Sequence, residues 1–132
     1  MKPNHVFVLT ISIIISLIAF ISLTEGKIVT IENKLDKGTL ARVAALTYMG
    51  SGHYNWGEKE KDDGLIDYDE LYSHYFFELA IPDDVKTFNL VFGVPESLTE
   101  DKWYGPFDNT QDICWHYHGH QNSWKVYPCG SQ

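Results

Sequence analysis

The sequence predicts an all-β fold, a small β-sandwich of two antiparallel sheets with one C-terminal disulfide. Three observations lead there. Short runs rich in branched and aromatic residues recur between polar turns, no sustained helical stripe is present, and the only two cysteines, Cys114 and Cys129, flank the last pair of such runs.

The first run, Ile28-Val29-Thr30-Ile31-Glu32, is extended in character and ends at Asn33. Leu40 to Tyr48 suits helix or strand by composition; its Thr-Tyr end and the Gly50-Ser51-Gly52 stop favour a strand. Two aromatic and branched runs follow, Tyr72 to Leu79 and Thr87 to Val94, with Pro82-Asp83-Asp84 as the turn between them. The chain closes with Ile113 to His118 and Ser123 to Tyr127, and Gly119 to Asn122 reverses direction.

The cysteines make this last hairpin checkable. If Cys114 faces Cys129, then His116 faces Tyr127, Tyr117 faces Val126, His118 faces Lys125 and Gly119 faces Trp124, and one face collects Trp115, Tyr117, Trp124 and Val126. A bulge would shift these pairings by one.

Residues 1–26 read as a signal peptide and 27–132 as a single secreted domain. Lys2 precedes an uncharged apolar run from Val6 to Leu23, and Thr24-Glu25-Gly26 offers small residues for a signal peptidase. The run also reaches the lower length of an anchor helix, but the cleavage-compatible residues after it favour release, with no stable membrane insertion afterwards. In an oxidising compartment Cys114 and Cys129 are expected to pair, adding roughly 3 kcal/mol in the chain-entropy model. No Asn-x-Ser/Thr sequon is present.

The chain carries 18 acidic against 10 basic side chains, a net charge of −8. That charge repels nucleic acid and anionic membranes, and suits solubility or a basic partner.

Chemistry-bearing patterns are few. His116, His118 and His120 recur with period two, so one extended strand would project all three imidazoles from one side, as zinc or copper ligands. Lys125 opposite His118 would repel a bound cation, and local hydrogen bonding accounts for such histidines equally well. Asp63 to Leu71 looks like the later part of an EF-hand loop, with Asp63, Asp67 and Glu70 as ligands, but Lys59 and Lys61 then occupy positions that require oxygen. A solvated acidic loop is the simpler reading. Trp56, Trp103, Tyr104 and Phe107 could line a sugar or peptide groove, or fill the core. No nucleophile elbow or zincin helix is present, and neither an enzymatic activity nor a cofactor is expected.

Several segments together resemble the plant self-incompatibility protein S1 family. They are Val29-Thr30-Ile31-Glu32-Asn33-Lys34-Leu35, with its branched strand and Asn-x-Leu end; the acidic turn Lys61-Asp62-Asp63-Gly64-Leu65; the aromatic Tyr72-Ser73-His74-Tyr75-Phe76-Phe77; and Thr87-Phe88-Asn89-Leu90-Val91-Phe92. The ending Cys114, Trp124-Lys125-Val126, Cys129 completes the likeness. The family commonly carries four cysteines. This chain has two, with Gly93 near one missing position and none between Leu40 and Tyr54.

The resemblance implies a β-sandwich and a secreted signalling ligand that binds an extracellular or membrane protein receptor through its loops, and the acidic charge of the chain suits a basic receptor surface. The loop from Glu58 to Glu70, with Asp62, Asp63 and Asp67 expected to be exposed, and the tip from Gly119 to Asn122 are the surfaces to examine first. The alternatives from other classes are a secreted defence effector or toxin, and a small extracellular hydrolase.

Overall fold

A computed structural model describes residues 27–130. The leader lies outside the described residues. Eight strands follow one another: β1 Lys27–Leu35, β2 Leu40–Leu46, β3 Leu65–Tyr72, β4 Phe76–Ile81, β5 Thr87–Gly93, β6 Lys102–Asp108, β7 Ile113–His120 and β8 Ser123–Pro128. A 3-10 turn, Trp56–Lys61, lies between β2 and β3.

The strands form two four-stranded sheets, ordered β4-β1-β7-β8 and β3-β2-β5-β6. Every pairing is antiparallel except β1 with β7, which run parallel. The terminal hairpin has the register its cysteines require: His116 faces Tyr127, Tyr117 faces Val126, His118 faces Lys125 and Gly119 faces Trp124. Cys114 and Cys129 are bonded.

Strand alternation places Val29, Ile31 and Leu35 of β1, Val43 of β2, Leu79 and Ile81 of β4 and Leu90 and Phe92 of β5 in one core between the sheets. Each such side chain contributes roughly 1.5–3 kcal/mol on burial. A one-residue slip would turn a strand's whole set outward, so the register is strongly specified. Across this core the phenol of Tyr117, on β7, donates to the carbonyl of Arg42 on β2 at 2.6 Å and accepts from the Gly93 amide on β5 at 3.2 Å. One buried side chain thereby joins both sheets.

Asn33 explains the Asn-x-Leu ending of β1. Its buried amide oxygen accepts from the Leu35 amide, and its Nδ2 donates to the carbonyls of Leu71 and Thr39. Its backbone pairs with His74 and Tyr75. The aromatic run expected from Tyr72 to Leu79 is broken at this corner. Tyr72 ends β3, His74 turns the chain at φ 73°, and β4 begins only at Phe76.

Two strands differ from the sequence expectation. Leu65–Tyr72, read as a solvated acidic loop, is an edge strand on β2, which leaves no EF-hand: no helix leaves the acidic turn, and Asp67 and Glu70 lie within the strand. Lys102–Asp108 pairs with β5 despite Gly105-Pro106, because an edge strand tolerates a proline. The Gly105 position also lies so close to Asn89 that a Cβ would sit 2.4 Å from its Oδ1.

Candidate functional site

The site is built on the outer face of the second sheet. There β2 and β5 present Ala44, Leu46 and Val91, an apolar strip that a sandwich core cannot cover. The chain after β2 covers it: residues 47–64 leave the sheet and lower Tyr54 and Trp56 onto the strip, giving a second small core. The two rings meet edge to face, centroids 4.9 Å apart.

Asp101, in the loop before β6, clamps this excursion. Its Oδ2 accepts from the Tyr54 amide at 2.8 Å and the Trp56 indole at 2.9 Å, and lies 3.2 Å from Nδ1 of His53. Gly93 makes room for it, since a Cβ there would stand 2.6 Å from Asp101 Oδ1 and 3.0 Å from the Trp56 ring. Arg42, paired with Gly93 across the strands, lays its guanidinium 4.6 Å from the centre of the Trp56 ring. Burial lowers the Arg42 pKa, and the charge of Asp101 opposes that shift.

Asp62 is the second clamp. Its Oδ2 accepts from the phenols of Tyr48 and Tyr54, while its Oδ1 accepts from the Gly64 amide at 2.9 Å. Desolvation raises its pKa, but these hydrogen bonds outweigh that effect and hold the carboxyl below its ordinary value. The same environment, burial first and the Asp62 hydrogen bond second, pushes Tyr48 up to about 12 and raises Tyr54 too.

Between the clamps lies an open cleft of about 390 Å³, with Tyr48, Tyr54 and Trp103 as its aromatic walls and His53, Asn55 and Glu58 among its polar ones. The indole of Trp103 is fixed by donation to the Gly52 carbonyl at 2.9 Å, and its six-membered ring lies against Gly50, where a Cβ would come within 2.5 Å. Tyr48 lies against Gly64 in the same way, again at 2.5 Å from a hypothetical Cβ. Two glycines thus seat two rings.

The acidic residues expected at the surface divide. Asp63 is exposed. Asp62 is half-buried and occupied by the bonds above, and Asp67, also half-buried, accepts from the Ala80 amide of β4 and from the Tyr68 amide, so it stitches the two sheets at their edges. Exposure of all three is corrected to exposure of one: the other two are structural acceptors. The second expected surface, the tip at 119–122, is a tight turn docked on the loop before β6: Asn122 Oδ1 accepts from the Leu98 amide and its carbonyl from the Thr99 hydroxyl.

His116, His118 and His120 share the outer face of the first sheet. The rings of His116 and His118 stand 4.4 Å apart and near perpendicular, His116 buried and His120 exposed at the strand end. Desolvation, then His116 and Lys34, lowers the His118 pKa. The three histidines do not bring three ligand atoms within 4.8 Å of one another; among the described residues only Glu32, Cys114 and Cys129 do so, and those sulfurs are already bonded together. A metal on the histidine run would need the strand end to rearrange.

The four aromatics read as groove or core separate as well. Trp56 is buried in the second core, Trp103 walls the cleft, and Tyr104 and Phe107 pack on Trp115 against the main core. Tyr48 and Tyr54 were not singled out by the sequence; their only local signal is the nearby Gly50 to Gly52 break.

No protein-family profile matches the chain, and no curated protein matches it. Among solved structures, the T6SS lipoprotein TssJ1 from Pseudomonas aeruginosa aligns with a TM-score of 0.55 at 10% identity, over 81% of this chain and 99% of that one. Listeriolysin O aligns at 0.45 and 8% identity over 83% of this chain and 23% of its own, and pneumolysin at 0.43 and 8% over 80% and 23%. This chain spans about a quarter of the length of those two proteins. The likeness to TssJ1 concerns the fold alone. The class defined by fold and site is a small disulfide-bonded β-sandwich with a loop-built cleft on one outer face.

Proposed function

We propose that the chain is a secreted recognition protein that binds an extracellular or membrane receptor through its loops. One observation supports this above the others: residues 47–64 are held by Asp101 and Asp62 in a fixed shape and still present an open, aromatic-walled cleft. A pre-ordered loop loses little conformational freedom on binding, which favours affinity. The net charge of −8 would steer a basic partner surface toward it.

The test is capture of the labelled protein on intact cells, compared with a triple charge reversal at Glu58, Glu60 and Asp63. These are exposed, and the reversal spares the structural acceptors Asp62 and Asp67. Saturable, protease-sensitive capture that falls about tenfold or more in the variant, with an unchanged melting temperature, is the expected result. Absence of saturable capture would refute the proposal.

A second reading has one observation on its side. His53 Nδ1 lies 3.2 Å from the buried Asp101 carboxylate and shares the cleft with Ser51, the arrangement of an oriented imidazole base. A small hydrolase would turn over p-nitrophenyl esters and lose that activity in His53→Ala. The His53 side chain is about 73% exposed, which favours the recognition reading.

A further inference from the structure

The cleft has a chemical character that narrows its ligand. Its two outer rings have committed their donors, the Trp103 N–H to Gly52 and the Tyr48 O–H to Asp62, so what they chiefly offer a ligand is ring surface. Ring surface of fixed orientation attracts the weakly positive C–H bonds of an aliphatic ring, or a cation.

Charge decides between these. Asp62 is charged, but both its oxygens are taken by three internal donors, and Glu58 accepts from Asn55 at 3.1 Å, so neither carboxylate is free of a partner inside the protein. Lys61 shares the same wall and opposes a second cation. The remaining polar equipment, the Ser51 hydroxyl, the Asn55 amide and the Glu58 carboxylate, combines donors with acceptors at close spacing, which is what a row of hydroxyl groups requires. A volume of about 390 Å³ lies within the range of small-ligand sites.

We infer that this cleft binds a neutral pyranose unit of an oligosaccharide, its C–H face on Trp103 and Tyr48 and its hydroxyls toward Ser51, Asn55 and Glu58. The inference rests on the recognition reading above and names the ligand class of that same site. The glycan would be carried on the receptor, and the seats on Gly50 and Gly64, with the Gly52 carbonyl, keep the rings in place before it arrives.

The experiment is calorimetric titration of the protein, expressed as the full chain in a eukaryotic secretory host, with neutral hexasaccharides (cello-, xylo-, malto- and chitohexaose) and with pentalysine as the cationic competitor. Saturable binding of at least one hexasaccharide is expected. Trp103→Ala and Tyr48→Ala should weaken it about tenfold or more, whereas Tyr48→Phe, which keeps the ring, should stay within about threefold of the parent. Asn55→Ala, at an exposed position, should weaken binding severalfold with no change in melting temperature, so the assignment does not depend on Trp103→Ala folding. No saturation by any hexasaccharide up to about 10 mM, binding in both Asn55→Ala and Tyr48→Ala equal to the parent's, or saturation by pentalysine alone would overturn the inference. Cell capture without hexasaccharide binding would sink the glycan assignment and leave the recognition reading standing. Hexasaccharide binding without cell capture would do the reverse.

Discussion

The indole of Trp56 donates to the carboxylate of Asp101 at 2.9 Å, and only about 4% of the Asp101 side chain meets solvent. Residues 45 positions apart are thereby joined at the base of the cleft. Removing the carboxylate leaves the Trp56 N–H and the Tyr54 amide without their acceptor and Arg42 without the charge that opposes its desolvation. Asp101→Ala should therefore cost about 3 kcal/mol in urea unfolding, with Asp101→Asn in between. A loss below about 1 kcal/mol would mean that the clamp contributes little.

The Asp62 cluster predicts two limbs of pH dependence. Asp62 has its folded pKa depressed from the ordinary 3.8, so its contribution is present above that value and is lost as pH falls through the lower folded value. Tyr48, raised from 10.0 to about 12, contributes fully below pH 10 and loses its contribution as pH rises toward 12. Asp62→Asn should flatten the acid limb of a stability profile, and absorbance at about 295 nm should show Tyr48 and Tyr54 still protonated at about pH 11. An acid limb identical in Asp62→Asn would assign acid unfolding to other carboxyls.

Reduction of the disulfide should be slow for an electrostatic reason. A carboxylate oxygen of Glu32 lies within 4.8 Å of both sulfurs, and an attacking thiolate must approach that charge. Glu32→Gln should accelerate reduction by dithiothreitol severalfold, most clearly at low salt. Once reduced, the chain should lose roughly 3 kcal/mol of stability. Equal reduction rates in parent and variant at low salt would dismiss the carboxylate effect.

Seating of the rings on glycine can be tested without touching a polar group. A Cβ at Gly50 would come within 2.5 Å of the Trp103 ring, so Gly50→Ala must displace that indole from the Gly52 carbonyl. A red-shifted tryptophan emission and faster acrylamide quenching should follow, with the main core intact by near-ultraviolet dichroism of the buried rings. Unchanged emission would show that Trp103 does not depend on Gly50.

Much of the framework was legible because strand periodicity is local. Val29, Ile31 and Leu35 alternate with outward residues, and the register expected for the last hairpin if Cys114 faces Cys129 is the one the structure has, with no bulge. β3 was not legible: Asp67, Asp69 and Glu70 resemble a loop, yet an edge strand tolerates charge and even uses it, as Asp67 does in accepting from Ala80. β6 was hidden by Gly105-Pro106, a break for a central strand and not for an edge. Asp62 looked like a solvated acid because nothing in its neighbours announces the Tyr48 and Tyr54 phenols that fold back onto it.

From the sequence by itself came the strand character, the cysteine pairing and the acidic balance, each a property of composition or of spacing along a few residues. The cleft came only from the tertiary structure. Trp103 reaches Gly52 across 51 positions and Asp101 reaches Tyr54 across 47. Such contacts form because the outer face of β2 and β5 is apolar and must be covered, and which distant segment covers it is decided by packing of the whole chain and not by any local period.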